Sequence, residues 1–234
     1  MLDLHTHILP GMDDGSRSVE QSLEMLTAQA AQGVDTVVLT SHFYPDREAP
    51  ESFLKRRKAA EESLREGMAE RTDLPGLLLG AEVAFFDGIC RAEGIDQLCI
   101  GGTKAMLIEM PFCQWNRRVL SEIEELRRLR GIQPILAHVE RYAGYQPTGL
   151  IEEMCEGGVW IQMNAEHVLR WQTGWKAMSM LKRRLVHFVA TDCHNMDRRP
   201  PCLGKAMEKI AKRLGQDTLD FLKQREERLL GGMR

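Results

Sequence analysis

Short apolar runs alternate with amphipathic helical segments from one end of this chain to the other. The strand candidates cover residues 2–5, 36–42, 77–83, 105–109, 134–138, 159–164 and 185–192. Each is four to eight residues long and mostly apolar, the pattern of strands buried on both faces of a parallel sheet. Between them lie helices with recognisable ends. Ser18 and Gln21 form a capping box ahead of Val19, Leu23, Leu26 and Ala30, with Gly33 as the stop. Asn116 precedes Val119, Ile123, Leu126 and Leu129, and Gly131 follows. Leu203, Ala206, Met207, Ile210, Ala211 and Leu214 repeat at helical spacing before Gly215. The charged stretch 51–71 reads as an exposed helix. Alternating β and α elements imply parallel strands joined by right-handed crossovers. Seven such units predict an α/β fold, a distorted (β/α)7 TIM-like barrel, with a doubly wound open sheet as the alternative. No linker interrupts the pattern, so residues 1–234 are expected to form a single domain.

Bulk properties narrow the partners. A formal net charge of −3 argues against a general nucleic-acid or membrane-surface binder, so an anionic substrate needs a local positive site. No stretch approaches the roughly 20 apolar residues of a membrane helix. Asp3 and His5 break any N-terminal signal-like run. The six cysteines are scattered without a CxxC pair, and reduced thiols in a cytoplasmic protein are the expectation.

The strand candidates end alike: "LDLHTH", "VVLTSH", "LLLGAE", "MLIE", "PILAH", "WIQMN" and "FVATDCH". Every one finishes in a group able to bind a metal or a ligand, and in parallel α/β folds these ends converge on one face. His5, His7, His42, His138 and His194 lie there, with Glu82, Glu109 and Asp192, and Asp13 and Asp14 follow in the first loop. Period-2 alternation directs both imidazoles of His5-x-His7 to one side, and Asp192-x-His194 repeats the spacing. So many ligands exceed one ion, pointing to two or three metals that share carboxylates. Imidazole and carboxylate without thiolate suit Mn, Fe or Zn. Metals about 3.5–4 Å apart acidify a bridging water and clamp a phosphoryl displacement, so the chemistry indicated is hydrolysis. Arg141, Arg198 and Arg199 fall in loops beside these ligands, where guanidinium forks can bind phosphate oxygens. Tyr44 and Trp115 fall in strand-end loops, placed either to stack a phenyl ring or to serve as rim aromatics.

Taken together, "DLHTHILPGMDDG", "TSH", "GAE", "LIE", "AHVERY", "QMNAEHVL" and "TDCHNMDRRPP" resemble the PHP (polymerase and histidinol phosphatase) superfamily, in particular its bacterial tyrosine-protein phosphatases encoded with capsule and exopolysaccharide genes. The match runs in order from Leu2 to about Pro201. The resemblance implies a (β/α)7-like barrel holding two to three divalent ions, commonly Mn, with Fe, Co or Zn as alternatives. It implies that His5, His7 and Asp192 hold one ion, with Glu82 bridging to a second completed by Glu109 and His138. Asp14, His42 and His194 would hold the third, with Asp13 competing for the place of Asp14. Arg141 and Arg199 match the family's phosphate-binding arginines. The implied reaction is phosphotyrosine hydrolysis by metal-bound hydroxide, on a partner bacterial tyrosine kinase governing polysaccharide export. "NAEH" replaces a more Ser-rich version, and Cys193 stands where a Met is common.

Other readings compete. Cys193 and Arg199 satisfy C-x5-R, the spacing of thiolate phosphatases, but Asp192 beside the thiol opposes its ionisation, and alternation turns Cys193 towards packing. Amidohydrolases and metal-dependent nucleases share the HxH strand, without an evident mid-barrel lysine or a broad basic surface here. Histidinol-phosphate phosphatase or another small-molecule phosphomonoesterase is the nearest enzymatic alternative. A non-catalytic module that binds phosphoproteins is the other. His167 and His187 lie off the ligand pattern and are expected to be structural.

Overall fold

The computed structural model describes residues 1–232. In chain order the elements are β1 (Leu2–Thr6), α1 (Val19–Ala30), β2 (Thr36–Leu39), β3 (His42–Phe43), α2 (Pro50–Gly67), β4 (Gly76–Leu79), β5 (Glu82–Ala84), β6 (Ala105–Glu109), α3 (Arg117–Arg130), β7 (Gln133–Leu136), α4 (Leu150–Glu156), β8 (Trp160–Asn164), α5 (Ala165–Leu169), α6 (Gly174–Lys182), β9 (Phe188–Ala190), α7 (Leu203–Leu214) and α8 (Gln216–Gly231). Two short 3-10 turns, Ile89–Arg91 and Ile95–Leu98, stand in for a helix between β5 and β6.

All strand pairs are parallel, in the orders β1-β2-β4 and β3-β5-β6-β7-β8-β9. The second and third expected strands are each bent into two pieces. The bends fall at Thr40–Ser41 and Gly80–Ala81, where hydrogen bonding continues through the kink: Gly80 N donates to Leu39 O (3.0 Å) and Glu82 N to Ser41 O (3.1 Å). A Cβ at Gly80 would lie 3.2 Å from both Thr40 Cγ2 and Val38 Cγ1, so the bend depends on that close approach. With the pieces joined, the sheet has seven strands. Its ends meet through a Thr6–Cys193 bridge, Asp192 N donating to His5 O (2.8 Å) and His7 N donating to Cys193 O (2.9 Å). Wholly buried Asp3 reinforces the seam by accepting Thr191 N (2.9 Å). The sheet is therefore the expected distorted (β/α)7 barrel, and among the described residues closure leaves no open edge.

Alternation fills the ring. Leu2 and Leu4, Val38, Ala105 and Leu107, Ile135 and Ala137, Trp160, and Phe188 and Ala190 form one buried cluster drawn from successive strands. The opposite strand faces and the helices build a second, larger cluster around it. From α8, Leu229 joins the inner cluster and Glu226 accepts Leu2 N (3.2 Å), which closes the end where the strands begin. A functional site is left the other end.

Local chemistry sets the helix ends. Ser18 accepts Gln21 N (3.3 Å), but Gln21 Oε1 returns to Arg17 N (2.8 Å), one residue before the position a capping box predicts. Asn116 Oδ1 accepts Val119 N (3.1 Å), and Gly131 ends α3 at φ +63°. The expected 51–71 helix runs from Pro50 to Gly67, with proline in the first turn, where its missing N–H costs nothing. The strands expected to reach His138 and Asp192 stop earlier, because both residues are left-handed, at φ +32° and +53°. Such conformations cost non-glycine residues on the order of 1–3 kcal/mol and collect at functional sites. No helix among the described residues is long and apolar enough to cross a membrane.

Candidate metal centre

Where the inner leucines of β1 give way to His5 and His7, the register against β2 shifts, an irregularity of the kind that re-aims side chains. His5 Nε2 lies 3.2 Å from His7 Nε2, 3.2 Å from Glu82 Oε2 and 3.4 Å from Asp192 Oδ1. His7 Nε2 lies 3.3 Å from Glu82 Oε2 and 3.4 Å from Asp192 Oδ1. Ligand atoms about 2.0–2.1 Å from a shared tetrahedral centre stand about 3.3–3.4 Å apart. These four groups therefore have the spacing of a coordination shell.

Glu82 extends the cluster in two directions. Its Oε1 is 2.8 Å from His138 Nε2, which is 3.4 Å from Glu109 Oε1. Its Oε2 is 3.0 Å from His42 Nδ1. Asp14 Oδ1 lies 3.5 Å from His42 Nε2 and 3.4 Å from His194 Nε2, and His7, Asp14, His42 and His194 can share one centre. His42 thus faces both Glu82 and Asp14, although a neutral imidazole offers one lone pair at a time. All nine ligands implied by the resemblance lie in this one connected cluster.

Asp13 occupies a different position. Its Oδ2 accepts His7 Nδ1–H (2.8 Å) and His42 N (2.9 Å), and its Oδ1 accepts Gly15 N (3.0 Å). Burial pushes the Asp13 carboxyl up, but His7 and the amide donors outweigh it and hold it well below the usual carboxylate range. A Cβ at Gly15 would collide with His7 O, so this turn requires glycine. Asp14, by contrast, is largely exposed and turns its Oδ1 to the imidazoles. On the other side, His194 Nδ1–H donates to Asp192 O (2.9 Å), leaving Nε2 with the lone pair. Burial, with His7 and Arg199 nearby, brings His194 down to about 4. Burial also disfavours the His138 cation, but Glu109 and Glu82 overcome this and raise it to about 9. Burial opposes ionisation of Glu82 and Asp192, yet the surrounding imidazoles hold both well below their usual range.

Arg141 Nη2 lies 3.3 Å from Asp192 Oδ2, the oxygen that Arg199 also pairs with, while Arg199 Nη1 donates to His194 Nε2 (2.9 Å). Two guanidiniums therefore border the cluster. Arg198 does not join them: its side chain is exposed, and its backbone N donates to Asn195 Oδ1 (2.7 Å). That oxygen also accepts Asp197 N (3.1 Å) and Arg199 N (3.2 Å), so Asn195 shapes the turn that presents Arg199. Sequence reasoning missed it, although an Asn followed by polar residues is a turn signal.

The aromatics redistribute. Tyr44 stacks on His42 at 5.1 Å between ring centroids, with the Arg47 guanidinium 4.3 Å from the Tyr44 ring centroid, beside a cavity of about 400 Å³ that Asp13, Asp14 and His42 also line. Trp115 is not at the rim. It is buried, donates Nε1–H to Pro111 O (2.9 Å) and packs edge-on against Tyr142. An exposed aromatic on that side is Phe112, stacked 6.1 Å from His138 at 15°. It lies three residues past Glu109, in the same strand-end loop as Trp115, where the sequence reading singled out only the tryptophan.

The remaining candidates are structural. Cys193 is fully buried, and burial with Asp3 nearby pushes its thiol far up, which is incompatible with a thiolate nucleophile. His187 Nδ1 accepts Ile161 N (3.2 Å) within the sheet. Cys90, Glu122 and Glu125 also converge, but Glu122 accepts Gly88 N and Cys90 N, and Glu125 pairs with Arg91 (2.9 Å).

Three buried polar atoms lack a hydrogen-bond partner at the cluster: Glu82 Oε2, His42 Nδ1 and His138 Nδ1. An ionised carboxylate oxygen with imidazole nitrogens at 3.0–3.3 Å and no hydrogen bond is a costly arrangement alone and a suitable one for a cation. The donor set fits divalent metal.

The fold and the cluster together define a parallel α/β barrel with a multinuclear-type His/carboxylate centre at its strand ends. The chain belongs to the CpsB/CapC family of capsular polysaccharide synthesis, whose model it matches over residues 1–229. It is 31% identical over 231 residues to the tyrosine-protein phosphatase CpsB of Streptococcus pneumoniae, covering 92% of this chain and 91% of that one. It is 29% identical over 239 residues to the tyrosine-protein phosphatase YwqE of Bacillus subtilis, covering 98% and 91%. A solved chain among the crystal structures of YwqE and CpsB, described as metal-dependent tyrosine phosphatases, superposes with a TM-score of 0.88 at 26% identity, covering 100% of this chain and 96% of its own.

Proposed function

We propose that the whole chain is one metal-dependent protein-tyrosine phosphatase domain acting in capsule or exopolysaccharide synthesis. The observation that carries this reading is buried Glu82 Oε2, which has no hydrogen bond and lies within 3.0–3.3 Å of His5, His7 and His42. Membership of the CpsB/CapC family supports the activity. His5, His7, Asp192 and Glu82 form the first metal position, Glu82, Glu109 and His138 the second, and Asp14, His42 and His194 the third. Two to three divalent cations, Mn foremost, fit these nitrogen and oxygen donors.

Cations held there supply Lewis acidity, neutralising phosphate charge and acidifying water. The chain's own residues do the rest. Arg141 and Arg199 exchange their contacts with Asp192 Oδ2 for the phosphate oxygens, where paired guanidiniums recognise a tetrahedral dianion. Asp13 fixes the His7 ring, and Asp192 O fixes the His194 ring, so that each presents Nε2 inward. Phe112 offers its exposed ring to the phenyl group, and Tyr44 borders the cavity beside His42. Phenolate leaves readily, which lessens the need for a strong general acid. The substrate is a phosphotyrosine protein, a bacterial tyrosine kinase of polysaccharide export, met in the cytoplasm.

Metal-stripped protein reloaded with Mn should hydrolyse phosphotyrosyl peptide much faster than histidinol phosphate, and chelator should abolish the activity. A preference for histidinol phosphate would move the chain to the small-molecule branch. Peptide binding without turnover would make it a binding module.

A further inference from the structure

We infer that Gln162 and Asn164, the two amide residues at the end of β8, are positioning residues that set the ligating atoms of His5 and Asp192. Both are buried, and neither carries a ligand. Side-chain amides are ambiguous about which end is oxygen, but here one obligate donor resolves the whole chain of contacts. The backbone N of His138 lies 2.6 Å from Gln162 Oε1, and an N–H can only donate, so that atom is the oxygen. The same oxygen lies 3.2 Å from His5 Nδ1, which must then carry the proton. His5 Nε2 is left with its lone pair directed at Glu82 and Asp192. Gln162 Nε2 consequently donates to Asn164 Oδ1 (2.9 Å), and Asn164 Nδ2 donates to Asp192 Oδ2 (2.8 Å).

The network therefore joins β1 and β8 to the turns that follow β7 and β9. At one end it selects the tautomer of His5. At the other it holds Asp192 Oδ2, so that Oδ1 faces His5 and His7 at 3.4 Å. Asn164 keeps Asp192 Oδ2 paired when Arg141 and Arg199 turn to phosphate. Outer partners of metal ligands commonly govern affinity by about 10–100-fold.

This inference rests on reading the cluster as a metal centre, and its test does not depend on turnover. Metal-stripped wild type, Gln162→Met, Gln162→Glu and Asn164→Leu are titrated with Mn²⁺ by calorimetry, and each is melted in chelator. Gln162→Met and Asn164→Leu keep the volume and remove the hydrogen bonds, and each should weaken the tightest Mn²⁺ binding by about 10–100-fold. Gln162→Glu returns an oxygen acceptor to His5 and His138 and should recover most of the affinity even where its metal-free melting temperature falls. Variants that bind Mn²⁺ as tightly as wild type overturn the inference alone, as does an affinity loss that follows metal-free stability in all three. A wild type that binds no Mn²⁺ removes the metal-centre reading and this inference with it.

Discussion

Asp13 Oδ2 lies 2.8 Å from His7 Nδ1, while Asp14, the next residue, places Oδ1 3.4 Å from His194 Nε2. Adjacent carboxylates thus face opposite ways: one orients an imidazole from behind, the other points into the cluster. Removing each should give different results. Asp13→Ala leaves the N–H groups of Gly15 and His42 without an acceptor and should destabilise the metal-free protein by about 1–3 kcal/mol in denaturant unfolding. Asp14→Ala, at an exposed position, should leave metal-free stability within about 0.5 kcal/mol and lower the bound metal per chain. The reverse pattern would exchange the two assignments.

Glu82 contacts more of the cluster than any other carboxylate, reaching His5, His7, His42 and His138. Glu82→Gln should therefore lower metal content by more than one equivalent and cut kcat by at least about 100-fold. Metal analysis of the purified variant checks this, and loss of a single equivalent would contradict a bridging role.

Lysine at position 141 or 199 keeps the charge and removes the fork. Each substitution should reduce kcat/KM for a phosphotyrosyl peptide by about 10–100-fold, the equivalent of one charge-assisted hydrogen bond of about 1.5–3 kcal/mol. Metal content should not change. Arg198→Lys serves as the control, since its side chain stands clear of the cluster.

Phe112→Ala should raise KM for aryl phosphates by about 2–10-fold, from an aromatic contact worth about 0.5–1.5 kcal/mol, and spare alkyl phosphates. Tyr44→Ala should act in the same direction. Trp115→Ala should instead cost about 3–5 kcal/mol of stability through a core cavity, with KM unaffected in the fraction that remains folded.

Far from the site, burial pushes Glu226 up to about 7, only partly offset by Leu2 N. The folded state therefore holds a proton that the unfolded chain releases near the ordinary glutamate value of 4.5. Stability falls as pH rises through that window and stays lower above it. Glu226→Gln removes the titration, so its melting temperature should gain on wild type between about pH 4.5 and 7. A difference that does not change with pH would contradict this.

Much of the site was legible because strand ends converge in parallel folds whatever their exact length, so His5, His42, Glu82, Glu109, His138 and Asp192 could be placed from periodicity alone. The bends at Thr40–Ser41 and Gly80–Ala81 were not legible, since an apolar run carries no mark of a kink that buried hydroxyls and a close glycine contact produce. The left-handed turns at His138 and Asp192 escaped for a related reason: neither residue type announces φ above zero. Trp115 was misplaced because loop position does not reveal burial. Gln162 went unread, and Asn164 was read only as one more polar strand end, because an amide has no ligand signature and its role appears only once its partners are known.

Anomalous diffraction from crystals loaded with Mn²⁺, recorded on both sides of the Mn absorption edge, tests the central claim most directly. The account predicts two or three peaks inside the ring of His5, His7, His42, Glu82, Glu109, His138, Asp192 and His194, with one in contact with Glu82. A map with no peak there, and with these side chains bonded only to one another, would contradict it.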